Sequence, residues 1–329
     1  MADLRFDPLT GHWVAIARNR LDRPTEFVPI EQIRQQLICP FCRGNEDETP
    51  DMLAAYLDTG EPLSESDDPS SWTVRVVPNK YPSFAPSPRL DLESGPYESN
   101  NGIGSQELII PSHRHVTSLS ELTNQELNVA FMACQQRLAV YAESPEIKHG
   151  MLFMNCRSPA GASLGHIHLQ LIGSPIVSDY LKSRTERNLE SIQQHGQSLV
   201  RRILNFELEQ KRRIILESEN FVVFCPYASR FPFQVWIVPK ENQGAFMDCA
   251  PSKRNELAQL SRLIVEKLES QLDEPAYNLL LNIAPYESSE YDHWYFELFP
   301  RLTVPAGFEW GTNVWVNPVP PETAAKRLQ

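Results

Sequence analysis

The chain has 329 residues and no apolar run near the roughly 20 residues that cross a bilayer, which excludes a helical membrane span. Its opening residues, Met1-Ala2-Asp3-Leu4-Arg5, lack the apolar segment of a signal peptide, so a cytoplasmic location is expected. Basic residues are in deficit: 30 Lys and Arg stand against 42 Asp and Glu, a formal charge of −12. A general nucleic-acid binder needs a basic face, and this balance argues against one. A small anionic ligand remains admissible, because bulk charge is screened within about 8–10 Å at physiological salt. Cations must then be concentrated where that ligand sits. Cysteines number 6, and only Cys39 and Cys42 stand close together. The others lie singly in apolar surroundings and read as buried thiols, a usage that suits a reducing compartment.

What the chain does contain is a soluble, globular composition, 41% apolar and 22% charged, with length for two ordinary domains or one large one. One stretch organises it. In His166-Ile167-His168-Leu169-Gln170-Leu171, apolar Ile167, Leu169 and Leu171 alternate with polar His166, His168 and Gln170. Alternate residues of a strand share a face, so the period predicts two imidazoles and a carboxamide in a row, each step about 6–7 Å. Such a row is costly to bury unless every group has a partner. The approach to it, residues 155–165, is rich in small residues. Gly161, Ala162, Ser163 and Gly165 let a ligand press against the backbone, whose N–H groups could hold a phosphate.

This segment resembles the active-site strand of the galactose-1-phosphate uridylyltransferases, a branch of the histidine-triad superfamily that carries His-x-His-x-Gln. The resemblance implies that His168 is the nucleophile, taking a nucleoside monophosphate from a sugar nucleotide. It implies that Gln170 hydrogen-bonds the transferred phosphoryl group and that His166 is a zinc ligand. The family most often has His-Pro-His, where this chain has Ile167, a departure that leaves the chemistry intact. Asn155, Gly161, Ser163 and Gly165 are the substrate-binding candidates of the approach. Near the start, a Pro-Leu-Thr-Gly turn at residues 8–11 and an Arg-x-x-Arg-Pro loop resemble the family's opening. Arg20 and Arg23 match its two arginines, which reach phosphate across a dimer interface. The planar fork of arginine pairs bidentately with phosphate.

Cys39-Pro40-Phe41-Cys42 reads as a zinc knuckle, because no strand-to-helix pattern of a redox pair follows it. Spacing alone leaves His113, His115 and His166 open as further ligands. The resemblance favours His115 and His166, giving a structural site of Cys39, Cys42, His115 and His166 that would fix the His166 ring beside the nucleophile. Residues 46–71 and 85–105 read as loops, the first exposed and mobile. Strands are expected at 13–17, 73–78, 106–111 and 151–155. Thr123 and Glu126 form a capping box for a helix to about Glu143, with Leu127, Phe131, Cys134 and Leu138 on its core face. Asn79 matches a family asparagine near the ribose and base.

Residues 178–216 read as a polar helical connector, after which the first half's pattern recurs. Strands at 220–225, 233–240 and 277–284 and a helix at 252–272 precede His293-Trp294-Tyr295-Phe296-Glu297, which takes the place of the histidine strand. The predicted fold is α+β: a duplicated histidine-triad-like unit, its antiparallel sheet built as two half-barrels flanked by helices. A catalytic repeat with the zinc knuckle spans 1–177, and a connector helix with a degenerate repeat spans 178–329. Some family members bind iron near the second strand. The histidine ligand positions fall on Asn282, Tyr295 and Glu297 and the glutamate position near Arg184; Tyr and Asn replace imidazole poorly as ligands, so no iron is expected. Phe308 and Glu309 match residues that contact the hexose in the neighbouring subunit's site.

The resemblance thus implies a zinc-containing nucleotidyltransferase of carbohydrate metabolism, working through a covalent nucleotidyl-histidine as a homodimer with shared active sites. Uridylyl transfer from a UDP-sugar to galactose 1-phosphate comes first. The alternatives are an ADP-sugar phosphorylase or adenylyltransferase and, from another class, an inactive zinc-stabilised nucleotide-binding protein.

Overall fold

The computed structural model describes residues 2–6, 13–17, 38–85, 95–241, 245–291, 293–313 and 315–329. Arg20, Arg23 and the expected turn at 8–11 lie outside the described residues.

Strands β1 (Ala2–Phe6) and β2 (Trp13–Ala17) pair antiparallel near the start of the chain. Next come β3 (Ala54–Tyr56) and β4 (Val74–Pro78). The stretch 46–71, expected to be loop throughout, therefore contains a strand. Tyr56 is buried, and the indole of Trp72 donates to Glu46 at 2.8 Å. Cross-strand pairing with β4 and these anchors decide the conformation; the local polar composition does not. The loop expected over 85–105 is corrected likewise. β5 (Glu98–Asn101) pairs with β1, although Glu-Ser-Asn-Asn carries no strand periodicity.

The large sheet gathers the remaining strands. β6 (Ser105–Ile110) leads to α1 (Asn124–Ala142), β7 (His149–Cys156) and β8 (Leu169–Ser174). Thr123 caps α1 through the expected reciprocal pair, its hydroxyl accepting from the Glu126 N–H and its own N–H donating to the Glu126 carboxylate at 2.7 Å. The polar connector is two helices, α2 (Asp179–His195) and α3 (Leu199–Gln210). They are separated because Gly196 adopts φ +70°, and Ser198 then caps the second helix by accepting from the Arg201 N–H. Its predicted end is not helical: Ile214–Glu217 is strand β9.

The second half continues with β10 (Phe221–Phe224), β11 (Val235–Pro239), α4 (Pro251–Gln271), β12 (Tyr277–Asn282) and β13 (Tyr295–Pro300). α5 (Gly307–Thr312) and α6 (Pro321–Leu328) close the chain. The 10 strands run in the order β3-β4-β6-β8-β7-β12-β13-β11-β10-β9. Read inward from either edge, each half contributes its strands in the same sequence, and the halves meet where β7 pairs antiparallel with β12.

The two faces of this sheet are covered differently. α1 and α4 cover one face, Leu127, Phe131 and Leu138 in one core with Leu152 and Leu169, and Leu257 and Ile264 with Leu279 and Phe296, joined by Ala324, Ala325 and Leu328 of α6. Each such side chain contributes about 1.5–3 kcal/mol when fully buried. On the other face, α3 covers the second half, with Leu204 against Val222, Phe224, Val238 and Tyr295. Over the first half the Cys39–Cys42 turn and Trp72 close down, through Phe41 onto Val77, Leu108 and Ile110, with Leu63 and Leu164 packed beside them. The part of that face left open by the described residues is where the candidate site lies.

Candidate functional site

His166 and His168 lie just before β8, which begins at Leu169, His166 at a bend in the chain. The expected strand thus starts later than its alternation suggested, because Ile167 donates its N–H to the carbonyl of Val116 at 2.9 Å instead of joining the ladder. The alternation itself persists. Ile167, Leu169 and Leu171 point into the helix-side core, while His168 and Gln170 line a pocket on the opposite face.

That pocket has a volume of about 320 Å³ and is walled by Phe41, Asn79, Lys80, Tyr81 and Ser163 besides His168 and Gln170. The size is at the lower end of that for small-ligand sites. His168 is buried, and its Nδ1 lies 3.0 Å from the carbonyl oxygen of His166. A carbonyl can only accept, so Nδ1 carries the proton and Nε2 carries the ring's lone pair. Lys80 supplies a cation to the wall of an otherwise acidic protein.

Beside the pocket, Cys39, Cys42, His115 and His166 bring one ligand atom each within 4.8 Å of one another. Cys42 Sγ is 3.4 Å from His115 Nδ1 and 3.7 Å from His166 Nδ1, and Cys39 Sγ is 3.6 Å from His166 Nδ1. Tetrahedral zinc with ordinary Zn–S and Zn–N bonds separates sulfur from nitrogen by about 3.5 Å, so the donor set fits that ion. Burial pushes the His166 imidazole down to about 3, reinforced by His115 and His168, which keeps it neutral as a ligand must be. Burial, and then neighbouring Cys39, push the Cys42 thiol up to about 11. A divalent cation reverses that preference by stabilising thiolate. His113 takes no part: its ring stands edge-on to Trp72, with centroids 6.1 Å apart.

The other candidates divide. Asn79 and Ser163 line the pocket; Asn155, Gly161 and Gly165 do not. Asn155 instead shapes the approach, its amide directed at the Gly161 carbonyl and its oxygen accepting from Asn278 at 2.8 Å. Gly161 adopts φ +93°, a conformation that favours glycine. A Cβ on Gly165 would lie 3.9 Å from His115 Nε2, so this glycine borders the ligand cluster. Phe308 and Glu309 are absent from the pocket wall. Phe308 is exposed, and Glu309 accepts from the Ala306 N–H at the start of α5.

Sequence reasoning missed Phe41, Lys80, Tyr81, Glu48 and Thr49 as pocket walls. Lys80 and Tyr81 adjoin Asn79 and could have been found there. Glu48 and Thr49 could not, because their stretch has the composition of a solvated loop. In the second half, Arg184, Asn282 and Glu297 do come together. Arg184 donates to the Asn282 oxygen at 3.0 Å, and Asn282 donates to Glu297 at 3.1 Å. Glu297 also accepts from Arg230 at 3.2 Å, and His293 bonds the Pro239 carbonyl.

A family described as a domain of unknown function, DUF4921, matches residues 111–329. The ADP-glucose phosphorylase of Arabidopsis thaliana is 31% identical over 339 residues, covering 99% of this chain and 92% of the relative. A galactose-1-phosphate uridylyltransferase of Thermotoga maritima is 24% identical over 341 residues, covering 100% and 98%. Among solved structures, an Arabidopsis thaliana ADP-glucose phosphorylase with bound ADP-glucose has a TM-score of 0.75 at 28% identity, covering 100% of this chain and 98% of the other. A uridylyltransferase structure has a TM-score of 0.80 at 22% identity, covering 99% and 97%, a likeness of fold.

Proposed function

Because the chain belongs to the galactose-1-phosphate uridylyltransferase-like family of nucleotidyltransferases, we propose that His168 is the residue on which the nucleotide is carried. The observation that carries this reading is the bond between His168 Nδ1 and the His166 carbonyl, which leaves the lone pair on Nε2 of a ring lining the pocket. Nε2 attacks the α-phosphorus of a nucleoside diphosphate sugar. The bond from that phosphorus to the bridging oxygen breaks, and the sugar 1-phosphate leaves with the electron pair. The imidazole becomes cationic as the new P–N bond forms, and the His166 carbonyl stabilises the Nδ1–H. Gln170 and Lys80 face the phosphoryl oxygens. A second phosphate acceptor then attacks phosphorus and restores neutral His168. Splitting one displacement into two in this way is the use of a covalent nucleophile.

Zinc held by Cys39, Cys42, His115 and His166 would have all four positions filled by protein and would act structurally. In this reading Arg20 and Arg23, with Phe308 and Glu309, serve the site of a neighbouring subunit in a homodimer. Leu302, Val304, Phe308, Trp310 and Val316 leave apolar surface exposed along one stretch, which supports an interface there. Residues 1–177 would then carry catalysis and 178–329 the degenerate repeat. Among the described residues no helix is long and apolar enough to cross a membrane, and the unpaired cysteines suit the cytoplasm.

Two donors are in play. A UDP-sugar with galactose 1-phosphate as acceptor follows from the uridylyltransferase relatives. An ADP-sugar is favoured by the 31% identity to an ADP-glucose phosphorylase, against 24% to the Thermotoga enzyme. Incubation with labelled UDP-glucose and ADP-glucose should leave labelled nucleotide on His168 from one of them. No adduct from any UDP- or ADP-sugar, with zinc present, would leave the nucleotide-binding alternative.

A further inference from the structure

A carboxamide has an accepting end and a donating end, and only the donating end suits an anionic phosphoryl oxygen. We propose that Gln106 is a positioning residue that fixes which end of Gln170 the pocket receives. The inference rests on the reading of His168 and Gln170 as the transfer site. Gln106 is buried on β6, on the sheet face it shares with Leu108. Leu108 pairs with Gln170 and Gln106 with Ile172, so the two glutamines are diagonal neighbours.

The polarity starts at a main-chain group. Gln106 Oε1 accepts the N–H of Ser83 at 2.7 Å. A backbone N–H can only donate, so the oxygen of Gln106 must face Ser83 and its amide nitrogen must face away. That nitrogen donates to Gln170 Oε1 at 3.2 Å. With its oxygen turned to Gln106, Gln170 offers its NH₂ group to the pocket it lines. A flipped Gln170 would set NH₂ against NH₂ at Gln106 and turn a carbonyl oxygen toward the phosphate. Two amides thus pass the direction of one backbone donor to the reacting group.

The second half repeats the device on a different terminus. Gln234 precedes Trp236 by two residues, as Gln106 precedes Leu108, and Trp236 pairs with Glu297 as Leu108 pairs with Gln170. Gln234 Oε1 accepts the N–H groups of Arg230 at 2.6 Å and Phe231 at 3.2 Å, and its nitrogen donates to Glu297. Glu297, as a carboxylate, can only accept, so this amide is oriented from both ends. The scaffold therefore presents an inward donor in each half. Only in the first half does the receiving group have donors of its own left to give.

A double-mutant cycle tests the coupling. The rate of labelled adduct formation in a single turnover, with whichever sugar nucleotide labels the wild type, is measured for Gln106→Met, Gln170→Ala and the double variant. Methionine keeps the length and packing of glutamine without its polar end. Gln170→Ala should slow the step about 100-fold, the scale of losing one oriented donor. Gln106→Met should slow it roughly 10-fold, with sugar-nucleotide affinity nearly unchanged, and should add nothing to Gln170→Ala. Gln106→Glu, which keeps the Ser83 bond but offers Gln170 an acceptor, should be slower than Gln106→Met. Wild-type rates in Gln106→Met and Gln106→Glu, or losses that multiply in the double variant, overturn the proposal. A wild-type protein that forms no adduct with any sugar nucleotide overturns instead the transfer reading beneath it.

Discussion

Phe41 stands edge-on to His168, ring centroids 5.0 Å apart, on a turn whose two ends, Cys39 and Cys42, belong to the candidate metal cluster. The same ring meets His166 at 5.9 Å. One wall of the pocket is thereby tied to the ligand set, and loss of the metal should be felt at the nucleophile without any ligand touching substrate.

Metal content is the first consequence. Purified protein should hold about one zinc per chain, as expected for a filled four-ligand site. Cys39→Ser should drop it well below one, with lower thermal stability and slower nucleotide transfer. His115→Ala should do the same, while His113→Ala should keep its zinc. The reverse pattern for the two histidines would reassign the third ligand. Iron should not be stoichiometric, since the Arg184 guanidinium already occupies the neighbourhood of Asn282. Stoichiometric iron would reopen Glu297 and His293 as ligands.

His168→Gly should abolish exchange, a loss of several orders of magnitude, yet retain zinc, because His166 and not His168 belongs to the candidate metal cluster. Exchange by the wild type should be ping-pong, and the protein-bound label should be acid-labile, as a phosphoramidate is. Free imidazole could partly restore transfer in the variant. Near-normal exchange in His168→Gly, or label mapping to Cys156, would remove His168 from the central role.

If active sites are shared between subunits, as proposed, variants in the two contributing segments should complement one another. His168→Gly and Glu309→Ala should each be severely impaired alone. Mixed dimers should recover a fraction of wild-type activity, because one interface would join an intact His168 to an intact Glu309. Mixtures no more active than the two variants measured separately, after verified subunit exchange, would place Glu309 outside the site.

Acid stability should depend on His149. Burial, and then the charge of Arg184, push its imidazole down to about 4, and its Nε2 has no hydrogen-bond partner. The unfolded chain, with an ordinary histidine, takes up the proton first as pH falls. The stabilisation is therefore present above about pH 6.5 and is lost progressively toward pH 4. The size is of order 3 kcal/mol, from about 1.4 kcal/mol per pKa unit. Denaturation midpoints of wild type and His149→Gln between pH 4 and 7 should show a shallower slope for the variant; parallel slopes would contradict the assignment.

Local signals were legible where a residue's chemistry acts over a few positions. The capping box of Thr123 and Glu126 needs only a helix start. The alternation around His168 needs only extended backbone, and it survived even though β8 begins at Leu169. Strands 54–56 and 98–101 were illegible for the converse reason. Ala54-Ala55-Tyr56 is too short to show a period and lies in a polar stretch, and Glu98-Ser99-Asn100-Asn101 is wholly polar; both become strand by pairing with β4 and β1. Glu48 and Thr49 join the pocket because Arg75, buried beneath them, donates to Thr49 at 2.9 Å and to the Pro40 carbonyl at 2.7 Å.

By itself the sequence determined the residue types of the chemistry: a Cys-x-x-Cys turn, a His-x-His-x-Gln run, and a second half that repeats the first without those histidines. Tertiary structure decided which of them meet. It chose His115 over His113, turned the His168 lone pair onto Nε2 through one carbonyl, and oriented Gln170 from a backbone N–H on a different strand connection. Those choices depend on hydrogen-bond direction and on distances of a few ångströms between residues far apart in the chain. Spacing along a sequence carries neither.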